Sequence, residues 1–337
     1  MQDIHELRRT WLDTLGRPLG GVIVLAAGLG LGVAAALQPV LTLVGAIAVL
    51  VCAWTADRPV RGAYLLLLCV PLVVGIGRGQ VLPVLRPNEA LIVFLLGIVV
   101  LRGTLTPAAG QVRLGPVTAV DRAFALLFVF GSVLPLAVQF FRSDVPSADD
   151  TFQLLSLLKY YLGYRLVLAV VLDERQMLTA ARLMVLSSAL VALVGLLQYA
   201  RVAGVPELLA AYYSAGQVRE ALELRRATST LGVWQALASY LAVHAALVLG
   251  LLSARAGGRD TPRALRGPWR GVLVGALLTN VAGALATATL TAVLGLLIAV
   301  GVMAALGGYW RKAVLGAVPL SLAAALVFWP AIQERWE

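Results

Sequence analysis

A chain of 337 residues is long enough for one or two soluble domains, but 60% of its residues are apolar, only 13% are charged and the mean hydropathy is +0.90. That composition belongs to polytopic membrane proteins rather than to water-soluble ones. The formal charge of +10 and the isoelectric point near 10.2 do not point to nucleic acid, because the basic residues gather in short segments between apolar runs.

The expected architecture is all-α: a helical bundle of about eleven transmembrane helices in a single domain. Segment 1–18 carries Arg8, Arg9 and Arg17 ahead of the first apolar run. It resembles a signal peptide, but no A-x-A-like cleavage site precedes a soluble domain and more spans follow, so the run is read as a retained helix. A crossing helix needs about 20 apolar residues. Runs approaching that length fall near 20–37, 39–55, 62–77, 88–101, 123–141, 152–172, 183–200, 231–252, 271–287, 289–306 and 313–330. The third holds Pro71, and the ninth and tenth are nearly continuous. Cys52 and Cys69 lie in apolar stretches without metal-ligand spacing and read as small apolar residues.

Orientation follows from the distribution of Lys and Arg. With the N-terminus in the cytoplasm, seventeen of the 27 fall inside and eight outside, while Lys159 and Arg165 fall within a span. The strongest vote is the Arg-rich segment 253–270, holding Arg255, Arg259, Arg263, Arg266 and Arg270. Of the outer segments, 142–150 contains Asp144, Asp149 and Asp150 and reads as a solvated loop. The longer one, 201–230, contains Pro206 followed by a helix-compatible stretch over 207–226. There Arg219, Glu223 and Arg226 have i,i+4 and i,i+3 spacing, which predicts a helix lying on the outer surface.

Charged groups in or beside spans are the first candidates for function. No Asp or Glu falls in mid-span, and there is no G-x-x-x-x-G-K-[ST] loop and no H-E-x-x-H helix. An ion-coupled transporter, an ATP-driven pump and an intramembrane metalloprotease are therefore disfavoured, and neither cofactor nor metal is expected. Lys159 and Arg165, in the run Leu157–Arg165 with Tyr160, Tyr161 and Tyr164, allow two readings. Either they snorkel to opposite interfaces, or Lys159 serves an outer-side anion site that Arg165, on a different helix face, cannot share. His244 reads as a hydrogen-bonded packing residue. Asn88 and Glu89, after Pro87, read as an N-cap and a first-turn acid. The richest cluster is Leu224–Gly232, where Arg225 and Arg226 precede Thr228, Ser229 and Thr230 at the re-entry into the membrane. Adjacent guanidiniums, hydroxyls and free N–H groups at a helix end form a diphosphate cradle, against the plainer reading of interfacial arginines with a Thr or Ser cap.

Two further segments join that cluster in a family resemblance. Val194-Gly195-Leu196-Leu197-Gln198-Tyr199 closes a span before the large outer loop, and Arg226-Ala227-Thr228-Ser229-Thr230-Leu231-Gly232 runs into Ala236–Leu241. Together with Leu157–Tyr164, their order and spacing resemble the O-antigen ligase and polymerase family of bacterial membrane glycan transferases, over roughly residues 60–330. The resemblance implies a multi-pass protein of the bacterial cytoplasmic membrane. Its partners would be membrane lipid, a polyprenyl-diphosphate-linked glycan donor and a glycan or lipid acceptor, with no nucleic acid. It further implies that Arg226 holds the diphosphate, with a second basic residue, Arg78 or Arg86, in the early outer loop.

Two departures from the family pattern accompany it. Thr287-Ala288-Thr289-Leu290 places Leu290 where the family's T-x-S-R-x-A motif has arginine. The family's catalytic histidine lies in an outer loop beyond the point reached by Arg335-Trp336-Glu337, so a truncated or partial member is expected and no general base is assigned. The reading from another class is a noncatalytic component of an envelope polysaccharide pathway, and the third is a transporter.

Overall fold

The computed structural model describes residues 39–77, 86–105, 112–113, 115–142, 148–213, 215–224, 226–254 and 268–307. The runs at 20–37 and 313–330, Arg78, Arg225 and most of the Arg-rich segment lie outside the described residues. The other nine runs coincide with helices, and no strand occurs among the described residues. Among the described residues five helices are long and apolar enough to cross a membrane: Pro87–Thr104, Ala119–Phe141, Glu174–Tyr199, Trp234–Leu252 and Trp269–Ala286. Large apolar side chains such as Phe130, Phe141, Leu278 and Ile298 are mostly exposed on the surface, where lipid is the solvent that accommodates them. The chain is an all-helical, multi-pass membrane protein.

The chain divides into two compact units at Arg58. The first contains α1 (Pro39–Asp57), in which the Thr55 hydroxyl donates back to the Val51 carbonyl at 2.6 Å. The second contains the remaining helices. Helix α2 (Pro59–Val73) and α3 (Pro87–Leu105) both open on proline, whose missing N–H costs nothing in a first turn. In α3 the Glu89 carboxylate accepts from the Arg86 backbone N–H at 3.1 Å, the returning half of a capping box. Because the helix already starts at Pro87, Asn88 is not its N-cap. It is a fully buried first-turn residue whose amide atoms have no partner among the described residues.

Helix α4 (Ala119–Phe128) has a full capping box between Thr118 and Asp121, then a π-helical turn over Val129–Val133, then α5 (Leu134–Phe141). The cause of the π turn is Pro135, which cannot donate to the preceding turn and whose ring displaces it. Helix α6 (Ala148–Val170) carries Lys159 and Arg165, and each meets a carboxylate from another helix. Lys159 Nζ lies 3.5 Å from Glu89, and Arg165 Nη1 lies 3.3 Å from Asp121 while Nη2 donates to the Gly115 carbonyl at 2.8 Å. Both cations are thus paired within the bundle rather than snorkelling alone, as buried charges require.

Helix α7 (Glu174–Tyr199) is capped by Asp173, which accepts from the Gln176 N–H at 2.7 Å. The outer segment departs from its expected single helix. It forms α8 (Val205–Tyr212) and α9 (Ala215–Glu223), broken at Tyr213, and Arg226 lies beyond the helix with its N–H bonded to the Ala221 carbonyl at 2.7 Å. Tyr213 is extended, pairs with Ile76 and donates its hydroxyl to the Leu72 carbonyl at 2.6 Å. Those tertiary bonds outweigh the few tenths of a kcal/mol that i,i+4 charge pairs add to an exposed helix.

Helices α10 (Trp234–Ala254), α11 (Trp269–Ala286) and α12 (Leu290–Gly307) pack with α7 around a core of Val191, Leu237, Leu241, Ala284 and Leu296. Small residues set the spacing: a Cβ on Gly283 would stand 2.9 Å from Leu241 Cδ1 and 3.1 Å from Ala192 Cβ. Helices in lipid approach closely in this way, gaining dispersion contacts where no hydrophobic driving force exists. Asn280 in α11 adds a buried bond across the same seam, donating to the Ser188 hydroxyl at 3.0 Å. Replacing Asn280 with Leu is expected to lower stability in detergent by roughly 1 kcal/mol, read as a fall in the thermal midpoint. An unaltered midpoint would show that packing alone holds α7 to α11.

Candidate functional site

The C-terminal ends of α2, α7 and α11 meet at one end of the bundle, and the segment Arg226–Gly232 is wedged among them before α10 begins. Each contact has an electrostatic reason. The last carbonyls of a helix lack internal partners, and at α2 they are satisfied from outside. Thr230 Oγ1 donates to the Pro71 carbonyl at 2.8 Å and the Tyr213 hydroxyl donates to Leu72. Burial pushes the Tyr213 phenol above its usual range, so it stays protonated and remains a donor. At α11 the Ala286 carbonyl accepts from the Ala227 N–H at 2.9 Å.

Gln198, in the last turn of α7, clips the segment. It is fully buried. Its Oε1 accepts from the N–H groups of Thr228 and Ser229 at 2.9 and 2.8 Å, and its Nε2 donates to Thr228 Oγ1 at 3.0 Å. Ser229 Oγ donates to the Val191 carbonyl at 2.6 Å. Ser229 has φ 51° and Gly232 φ 76°, both in the left-handed region that lets the chain reverse so tightly. Gly232 faces Gly75: a Cβ there would make ordinary contact with Gly75 Cα at 3.7 Å, so its left-handed φ rather than space is what favours glycine.

This geometry corrects the expected cradle. The hydroxyls of Thr228, Ser229 and Thr230 all point into the protein, and two of the backbone N–H groups are taken by Gln198. Helix α10 starts at Trp234, beyond the hydroxyls, so they are neither phosphate ligands nor its caps. Arg226 is different. Its guanidinium lies over the Trp234 ring at 5.2 Å, a cation–π contact that orients it without neutralising it. No carboxylate among the described residues pairs with it.

Arg226 lines a cavity of about 270 Å³ with Gln198, Tyr199, Ala200, Arg201 and Leu222. Among the described residues that line it none is acidic and two carry guanidiniums, which contribute two positive charges. Its volume is at the low end of small-molecule sites and suits a head group rather than a whole glycan. Arg201 was not among the candidates from sequence, and Gln198 entered only as part of a motif. A polar amide in the last turn of an apolar helix was the signal for Gln198, while Arg201 had no local signal beyond its charge.

The other candidates stand elsewhere. Arg86 and Lys159 do not line this cavity. Arg86 keeps a buried Nε without a partner among the described residues, and Lys159 is paired with Glu89. His244 is a packing residue, with Nδ1 2.8 Å from the Tyr240 carbonyl and its ring 4.0 Å from that of Tyr240. The Thr287–Leu290 turn closes on itself, Thr287 Oγ1 donating to Ala284 and lying 2.9 Å from Thr289 Oγ1, while Leu290 is exposed. Among the described residues no three His, Cys, Asp or Glu side chains gather as a metal site would require.

Fold and site together define a multi-pass helical membrane protein with a cationic cavity at one end of its bundle. No protein-family model, no curated protein and no solved structure matches the chain.

Proposed function

We propose that the protein binds the diphosphate of a polyprenyl-linked glycan at the outer face of the bacterial cytoplasmic membrane, in the assembly of cell-surface polysaccharide. The observation that carries this reading is the Arg226 guanidinium, unpaired with any described carboxylate, in a cavity with a second arginine and no acid among the described lining residues. A lipid-linked donor presents its phosphates where a membrane helix emerges from lipid, and the cavity lies where α7 ends and the chain re-enters as α10. The diphosphate is also the leaving group when a glycan passes to an acceptor. Fixed guanidiniums would stabilise the charge that develops on it, with no nucleotide needed. The O-antigen ligase and polymerase resemblance leads to the same chemistry, and the apolar runs with the Lys and Arg distribution favour eleven spans and a cytoplasmic N-terminus.

Arg226→Ala is expected to weaken retention of a polyprenyl-diphosphate glycan by about 10- to 100-fold, the range of one or two charge-assisted hydrogen bonds. Membrane insertion should be unaffected. The measurement is lipid retention by the purified full chain, paired with impermeant maleimide labelling of Glu223→Cys in intact cells of a Cys52→Ala, Cys69→Ala background. Undiminished retention, or labelling that occurs only after the membrane is opened, would overturn the proposal.

A further inference from the structure

We propose that Arg201 is the second phosphate-binding guanidinium of this cavity and makes it a site for two linked phosphates rather than one. The inference rests on the lipid-diphosphate reading above and names what within that class the cavity selects.

The first observation is the way α7 ends. Val202 N–H donates to the Leu197 carbonyl at 3.0 Å and Arg201 N–H donates to the Gln198 carbonyl at 3.0 Å. These two bonds make a Schellman motif with Arg201 at its left-handed position, where φ is 54°. In helices that end this way the position is usually glycine, because a Cβ is strained there. The chain places an arginine instead, against its own local preference. A departure of this kind marks a functional or a strained position.

The second observation is where that side chain goes. Arg201 Nη2 donates to the Leu222 carbonyl at 3.1 Å, which pins one edge of the guanidinium to the end of α9. Among the described residues this bond uses one of its five N–H donors, and the others face no described acceptor in the cavity it lines with Arg226. Arg226 is held by the Trp234 ring. Two guanidiniums fixed by separate elements, without a described carboxylate between them, repel each other unless an anion lies between. Each fork matches the oxygens of one phosphate. A phospholipid or polyprenyl monophosphate offers one such group and a diphosphate offers two, so the cavity should distinguish them.

The test uses the full chain in nanodiscs with three probes: polyprenyl diphosphate, polyprenyl monophosphate of the same chain length, and phosphatidylglycerol. Wild type is expected to hold the diphosphate at least tenfold more tightly than either single phosphate. Arg201→Gly restores the residue that the Schellman position prefers, so its thermal midpoint should be equal to or above wild type. Its diphosphate affinity should fall to that of the monophosphate. Arg226→Ala should weaken both polyprenyl probes. Arg201→Gly that keeps the tenfold preference would overturn the role of Arg201, as would equal binding of phosphatidylglycerol and diphosphate by wild type. Wild type that retains neither polyprenyl lipid would instead overturn the diphosphate reading itself, so the two failures are distinct.

Discussion

Gly75→Ala should abolish most of the folded protein recovered in detergent, because position 75 is where α2 hands over to the wedged segment. The Gly75 N–H donates to the Thr230 carbonyl at 3.1 Å. An added Cβ would collide with that carbonyl oxygen and would stand 2.6 Å from Tyr213 Cδ1 and 2.9 Å from the Leu231 carbonyl carbon. Two of the three obstacles are backbone, which has no rotamer to change. Relief therefore requires moving the 230–232 turn, which breaks the bonds from Thr230 and Tyr213 to α2. We expect a loss of about 3 kcal/mol, the upper end for overpacking, read as a lower thermal midpoint and a smaller monodisperse peak on size exclusion. Gly97→Ala is the matched control. Its Cβ meets nothing within 4 Å, and in a helix interior alanine is favoured by up to about 1 kcal/mol. A Gly75→Ala variant that behaves like Gly97→Ala would show that α2 and the re-entrant turn do not touch.

The helices were legible because their signal is local. Prolines at 39, 59 and 87 mark three starts, and apolar length marks the rest. Boundaries shifted where tertiary contacts decide them: α10 begins at Trp234 rather than 231 because Ser229–Leu231 forms a 3-10 turn held by α2 and α7. The site was half legible for the same reason. Arg226 could be seen as a cation at a membrane boundary. The direction of the neighbouring hydroxyls could not, since their acceptors, Val191 and Pro71, lie 38 and 159 residues away. Lys159 looked like a lone cation until the fold brought Glu89 to it across 70 residues. Arg201 stands near Arg226 only because α8 and α9 fold back and bring Leu222 to the end of α7. Sequence periodicity reports which face of one helix is apolar, and none of these juxtapositions is a property of one helix.

Gln198 separates the fold of the wedge from its charge, through two substitutions with opposite expectations. Gln198→Leu removes the acceptor of two buried N–H groups, on Thr228 and Ser229, and the donor to Thr228 Oγ1. Each stranded backbone group costs about 1 to 3 kcal/mol, so a loss of roughly 4 kcal/mol is expected, with lipid retention lost alongside. Gln198→Glu keeps the shape and both acceptances, and the Thr228 hydroxyl can rotate to donate to the carboxylate instead. Its thermal midpoint should stay well above that of the Leu variant. The new negative charge, however, lines the cavity that holds Arg201 and Arg226. It competes with any phosphate for those guanidiniums, so diphosphate retention should fall at least tenfold, about 1.4 kcal/mol, in a protein that still folds. Thermal melts and lipid retention on the same two preparations decide the matter. If the Glu variant binds as wild type does, the anion enters elsewhere; if it melts with the Leu variant, burial of the charge rather than loss of the clip controls the wedge.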